Sequence, residues 1–97
     1  MSEEEILRIR LPKKREGEIL GVVESMLGAN RLRVKCMDGK TRMGRIRGKM
    51  RKRIWIRERD IVIAVPWQFQ DEKADIVFRY TRPQVAWLER RRFLQVP

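Results

Sequence analysis

The sequence contains no histidine and a single cysteine, Cys36. Without histidine it lacks the commonest general acid–base group and metal ligand near neutral pH. One cysteine excludes both a disulfide framework and a cysteine metal cluster. No apolar run approaches the roughly eighteen residues that a membrane span needs, and the start, MSEEEILRIRLPKKREGE, lacks the apolar core of a signal peptide. The expected location is therefore cytoplasmic and reducing, without a membrane partner. GRIRGK lacks the glycine spacing and the Lys-Ser/Thr ending of a phosphate-binding loop. The acidic residues show no spacing that suggests paired catalytic carboxylates. These absences argue against an enzyme and predict a protein without metal or cofactor.

Positive charge is what the sequence has in excess. Its 97 residues carry 24 Lys and Arg against 13 Asp and Glu, a formal net charge of +11. Hydrophobic residues make up 42%, enough for one compact domain with a single core and too much for a disordered chain. Between Arg31 and Arg53 lie eleven basic residues and one acidic one, Asp38, so this segment carries +10 of the +11. A charge-rich surface serving only solubility would not cluster in this way. The partner that a basic patch of this density fits is the phosphate backbone of a nucleic acid.

The coarse pattern predicts a mainly β fold. Residues 1–15 are charge-dense and are read as a flexible N-terminal arm. EILGVVESML suits a long strand bent at Gly21, and LGAN is a turn signal. RLRVKC alternates strictly, with Leu32, Val34 and Cys36 on the buried face and Arg31, Arg33 and Lys35 on the other. MDGK supplies an Asp-Gly hairpin turn at Gly39. In the returning strand Met43 and Ile46 are three apart, which predicts a bulge near Gly44. IWI resumes a β-like run, IVIAVPW reads as a buried strand ended by Pro66, and ADIVFRYT as the last strand. Five strands over residues 16–80 predict a small closed barrel of the oligonucleotide-binding (OB) type. Residues 81–97 read as a C-terminal helix packed on it. Thr81 and Gln84 are spaced for a capping box, and Val85, Leu88, Trp87 and Phe93 are candidates to dock the helix. Arg90, Arg91 and Arg92 near its end either complement the helix dipole or contact RNA.

The candidate RNA-binding residues follow from that arrangement. Arg31, Arg33 and Lys35 form an outward row on the second strand, and the third strand with its exit adds Arg42, Arg45, Arg47, Lys49, Arg51, Lys52 and Arg53. Barrels of this type hold nucleic acid on that face. The face carries no aromatic residue in this reading. An arginine-dominated surface favours a folded RNA read by shape and phosphate position over a loose single strand. Trp55 is the nearest aromatic, either a core residue or a stacking platform.

The run IRGKMRKRIWI, then DIV, then FQDEKADIVFRY and a terminal helix closely resemble the translation initiation factor 1A family of archaea and eukaryotes, whose bacterial counterpart is initiation factor one. The resemblance covers roughly residues 15–94. It implies an OB barrel bound at the aminoacyl-tRNA (A) site of the small ribosomal subunit. There it would block premature entry of elongator tRNA and promote binding of initiator tRNA and messenger. On that resemblance Arg45, Arg47, Lys49, Arg51, Lys52 and Arg53 lie against the decoding-centre RNA, with Arg31, Arg33, Lys35 and Arg42 as the adjoining face. Trp55 matches a family tryptophan. Eukaryotic members continue into a long acidic tail that contacts an initiation GTPase. Here Pro97 directly follows the helix, as expected of an archaeal-type member, so such a contact would run through Trp87 to Phe93. A monomer that also meets other initiation factors is expected. The alternative is a general basic OB protein, such as a ribosomal protein, an RNA chaperone or a DNA-coating protein.

Overall fold

The computed structural model describes residues 10–48 and 55–93. Five strands, β1 (Ile19–Gly28), β2 (Arg31–Cys36), β3 (Thr41–Ile46), β4 (Ile61–Pro66) and β5 (Lys73–Arg79), close into a barrel in the order β1-β2-β3-β5-β4. All neighbours are antiparallel except β3 and β5, which run parallel. Helix α1 (Arg82–Arg90) follows β5. This is the expected OB barrel with its C-terminal helix.

Two apolar clusters explain the hydrophobic pattern. Inside the barrel, Val23, Leu32, Val34, Cys36, Ile46, Ile56, Val62, Ala64, Ala74 and Ile76 pack together. Outside it, Leu20, Ile61, Ile63, Tyr80 and Leu88 form a second cluster with Val22, Phe78, Val85 and Trp87. β1 and β4 are apolar on both faces because one face lines the barrel and the other seats α1. Strands buried on both sides lose their period of two in just this way. The helix starts where Gln84 Oε1 accepts from the Thr81 N–H at 2.8 Å, the return half of the capping box.

Gly21 pairs with Cys36 of β2 and with Val62 of β4. A Cβ there would lie 2.6 Å from Val34 Cγ2, so its smallness serves close strand approach at the closure of the barrel rather than a bend. The register shifts of β1 come later, between Val23 and Ser25 and between Met26 and Gly28. The bulge expected near Gly44 is absent: β2 and β3 pair one to one from Arg31↔Arg45 to Lys35↔Thr41. The inward residues of β3 are Arg42, Gly44 and Ile46, so the period of two holds once Arg42, not Met43, is counted as interior. Trp55 and Ile56 lie outside any strand, contrary to the expected β-like run.

The part of the expected arm that is described, from Arg10, is tied to the barrel. Arg10 Nη2 reaches Glu18 Oε2 at 2.8 Å, and the Tyr80 hydroxyl donates to the Arg10 carbonyl. Burial pushes the Tyr80 phenol up to about 12, which keeps it a neutral donor. No helix among the described residues is long and apolar enough to cross a membrane.

Candidate nucleic-acid interface

Strict alternation on β2 turns Arg31, Arg33 and Lys35 outward, while Leu32, Val34 and Cys36 are buried. On β3 the outward residues are Thr41, Met43 and Arg45. The register sets Arg31 opposite Arg45, and Arg33 opposite Met43. Two arginines directly opposite each other on neighbouring strands destabilise the free sheet, an arrangement suited to a face that meets an anion.

The parallel pairing of β3 with β5 extends this face. Met43 aligns with Lys73 and Arg45 with Asp75. Together with Arg31, Arg47 and Trp67 these residues line a groove of about 700 Å³. Asp75 organises it: one carboxylate oxygen accepts from Arg47 Nη2 at 3.2 Å, the other from the Trp67 indole N–H at 3.2 Å. Lys73 Nζ stands 5.3 Å from the centre of the Trp67 ring, within cation–π range. The side chains of Arg47 and Trp67 are thus pre-positioned, and the groove offers cations for phosphate and an indole for a base or sugar.

The sequence-based view of this face therefore missed an aromatic. Trp67 stands directly after Pro66, 20 or more residues from the basic hairpin, and only the parallel β3–β5 pairing brings it there. A tryptophan placed just past a strand-ending proline, with two charged residues of the next strand near it, is the signal available in the sequence.

Arg42 does not belong to the outward row. It is 3% exposed and braces one end of the barrel. Its Nη1 and Nη2 donate to the two Asp38 carboxylate oxygens at 3.1 and 2.8 Å, its Nε to the Asp71 carbonyl at 2.7 Å, and Nη2 also to Asp71 Oδ1 at 3.1 Å. The hydrogen bonds from Arg42 hold the Asp38 carboxyl below the usual carboxylate range, and the Asp38 carboxylate in turn raises the guanidinium. Lys40, joined by Arg42, lowers Asp71 in the same way. Next to this network burial pushes the Cys36 thiol up, consistent with the expected small core residue. Arg42 thus gives its hydrogen bonds to Asp38 and Asp71 and offers almost no surface to a partner.

The remaining candidates divide. Lys49, Arg51, Lys52 and Arg53 lie outside the described residues. Trp55 is 84% exposed, which overturns the core reading and leaves its ring available for contact. Trp87 is half-buried under the outer cluster and stacks on Phe93 with centroids 5.7 Å apart, and Arg91 caps the same indole at 5.7 Å. This group sits at the end of α1 and in the turn after it, and α1 packs on residues of β1 and β4, whereas the basic face spans β2 and β3. Arg90 ends the helix, where it complements the dipole.

Comparison with known proteins gives one consistent result. The sequence pattern of the family described as translation initiation factor 1A / IF-1 matches residues 7–96. Translation initiation factor 1A 1 of Methanosarcina mazei is 62% identical over 94 residues, covering 97% of this chain and 85% of the relative. Translation initiation factor 1A of Archaeoglobus fulgidus is 60% identical over 94 residues, covering 97% of both chains. The crystal structure of YjeQ from Thermotoga maritima aligns with a TM-score of 0.57 over 67% of this chain and 23% of that one, at 24% identity, a likeness of fold alone. With a five-stranded barrel, a basic β2–β3 face and relatives of this similarity over nearly its full length, the chain belongs to the translation initiation factor 1A / IF-1 family.

Proposed function

We propose that the protein acts in translation initiation by binding the A site of the small ribosomal subunit through its β2–β3–β5 face. The pairing of Arg31 with Arg45 beside the Arg47–Asp75–Trp67 groove is the observation that carries this reading. A face that repels itself when free and holds its side chains in fixed positions is complementary to a folded, phosphate-lined RNA surface. Arg31, Arg33, Lys35, Arg45 and Arg47 supply the contacts on the barrel, and Lys49, Arg51, Lys52 and Arg53 extend them along the chain. Occupying the A site blocks premature entry of elongator tRNA. Higher affinity for one state of the subunit than another favours acceptance of initiator tRNA and messenger. The action is binding without catalysis, by a monomer in the cytoplasm. Trp55 is a stacking platform in this reading, and the Trp87–Phe93 pair at the end of α1 is the surface that meets a further initiation factor, such as an initiation GTPase.

Binding of labelled protein to isolated small subunits, competed with duplex DNA and with A-site tRNA, tests the proposal. Saturable one-to-one binding that survives DNA but yields to A-site occupancy is expected. Binding erased by DNA would leave a general basic nucleic-acid-binding barrel. Arg47→Ala should weaken subunit binding without lowering the thermal midpoint, since its side chain is 59% exposed.

A further inference from the structure

Phe69 is 96% exposed, the most exposed of the large apolar side chains among the described residues. It stands near the middle of the β4–β5 connection, WQFQDE, between Gln68 and Gln70. Full exposure of a phenyl ring in a loosely held loop would mean little. This loop is held at many points. Trp67 N–H donates to the Lys73 carbonyl at 2.9 Å, Lys73 N–H to the Gln70 carbonyl at 2.9 Å, and Met43 N–H to the Glu72 carbonyl at 2.8 Å. Asp71 is clamped by Lys40 Nζ at 2.7 Å and by the buried Arg42 through both its carbonyl and its carboxylate. Among the described residues, the most deeply buried charge thus fixes the base of the loop that displays the most exposed ring.

From this arrangement we infer that Gln68-Phe69-Gln70 is the tip of an anchored loop and stacks on an unpaired nucleobase of the bound RNA. Three observations favour a base over an apolar pocket on a protein. Every neighbour from Gln68 to Glu72 is polar and exposed, so the ring lacks the apolar surround that a protein–protein anchor brings with it. The flanking glutamines each carry a donor and an acceptor, suited to base edges and 2′-hydroxyls. The same loop begins at Trp67, whose indole lines the cationic groove. An aromatic displayed on a loop whose ends are held accepts any base, because every base offers a π face. The tip adds recognition of an unstacked nucleotide to a face that otherwise reads phosphate. The inference rests on the RNA-binding reading above and deepens it.

The test compares wild type with Phe69→Ala, Phe69→Leu and Phe69→Tyr for binding to small ribosomal subunits, to single-stranded oligoadenylate and to duplex RNA of the same length. Thermal midpoints are measured in parallel. Phe69→Ala and Phe69→Leu should each lose roughly 5- to 100-fold in affinity for subunits and oligoadenylate. Phe69→Tyr should bind as wild type does, duplex binding should be unchanged in all, and the midpoints should coincide. Wild-type affinity in Phe69→Leu would overturn the inference, since Leu keeps the apolar bulk but not the π face. So would a loss on subunits with oligoadenylate unchanged, which would assign the tip to a ribosomal protein. Wild-type protein that does not bind subunits would defeat the preceding proposal instead, and the oligoadenylate series would still decide the role of Phe69.

Discussion

Arg31 and Arg45 are direct cross-strand partners on the outer face of the β2–β3 hairpin. Like charges in that relationship oppose folding by roughly 0.2–1 kcal/mol, and Asp75, the acid aligned with Arg45 on β5, already accepts from Arg47 and Trp67. Replacing one arginine should therefore stabilise the free protein while harming its binding. Arg45→Gln is expected to raise the thermal midpoint at low ionic strength. The gain should fade toward about 1 M salt, where the screening length falls to about 3 Å. Its affinity for small subunits should drop, with a salt slope shallower by about one. A lower midpoint at low salt would show that the pair is not repulsive.

Arg42 makes the opposite prediction although it is the same residue type in the same segment. Its guanidinium is buried and ties the Asp38 turn to the Asp71 loop. Arg42→Met should cost about 2–3 kcal/mol in urea unfolding, the value of losing charge-assisted hydrogen bonds around a buried cation. Arg42→Lys should restore only part, because an ammonium cannot reproduce the planar fork. Binding to subunits, measured well below the midpoint, should keep the wild-type salt slope. A slope reduced by about one would mean that Arg42 reaches phosphate after all.

These two arginines mark the limit of what the sequence showed. The OB barrel, the helix with its Thr81–Gln84 cap and the outward row Arg31, Arg33 and Lys35 all follow from local periodicity and turn residues, and the structure has them. Arg42 reads as part of that face because an arginine in a basic run looks like its neighbours. Its burial depends on Asp71, 29 residues away, which no local pattern connects to it. Counting Met43 as interior instead created a bulge that does not exist. Trp67 and Asp75 were missed for a related reason, since they join the face through the parallel β3–β5 pair, the one long-range parallel contact in the barrel. Periodicity finds the faces of a strand. It does not say which strand lies beside it.

The Arg42–Asp38 pair also sets an acid response. Arg42 holds the folded-state Asp38 carboxyl below its ordinary value. Its contribution is therefore fully present above the unfolded value of about 3.9 and is lost as pH falls through the lower folded value. The difference in thermal midpoint between wild type and Asp38→Asn should be constant from about pH 5 to pH 8 and close below about pH 4. A difference that widens in acid would reverse the assigned sign.

The turn between β1 and β2 stores strain beside the site. Ala29 and Asn30 both have positive φ, 52° and 62°, as a two-residue turn that matches strand twist requires. Asn tolerates this region, while a Cβ without a polar group, as in Ala29, costs about 1 kcal/mol there. The turn is worth holding because the Asn30 carbonyl accepts from the Ile46 N–H at 2.8 Å, which fixes the end of β3 between Arg45 and Arg47. Ala29→Gly removes the strain but adds freedom to the unfolded chain, whereas Ala29→Asn keeps a side chain suited to the region. Ala29→Asn should thus raise stability by about 0.5–1 kcal/mol and exceed Ala29→Gly. Both should bind subunits as wild type does, because the strands they join are unchanged. Destabilisation by Ala29→Asn in urea unfolding would mean that the alanine is kept for a contact and not merely tolerated in the turn.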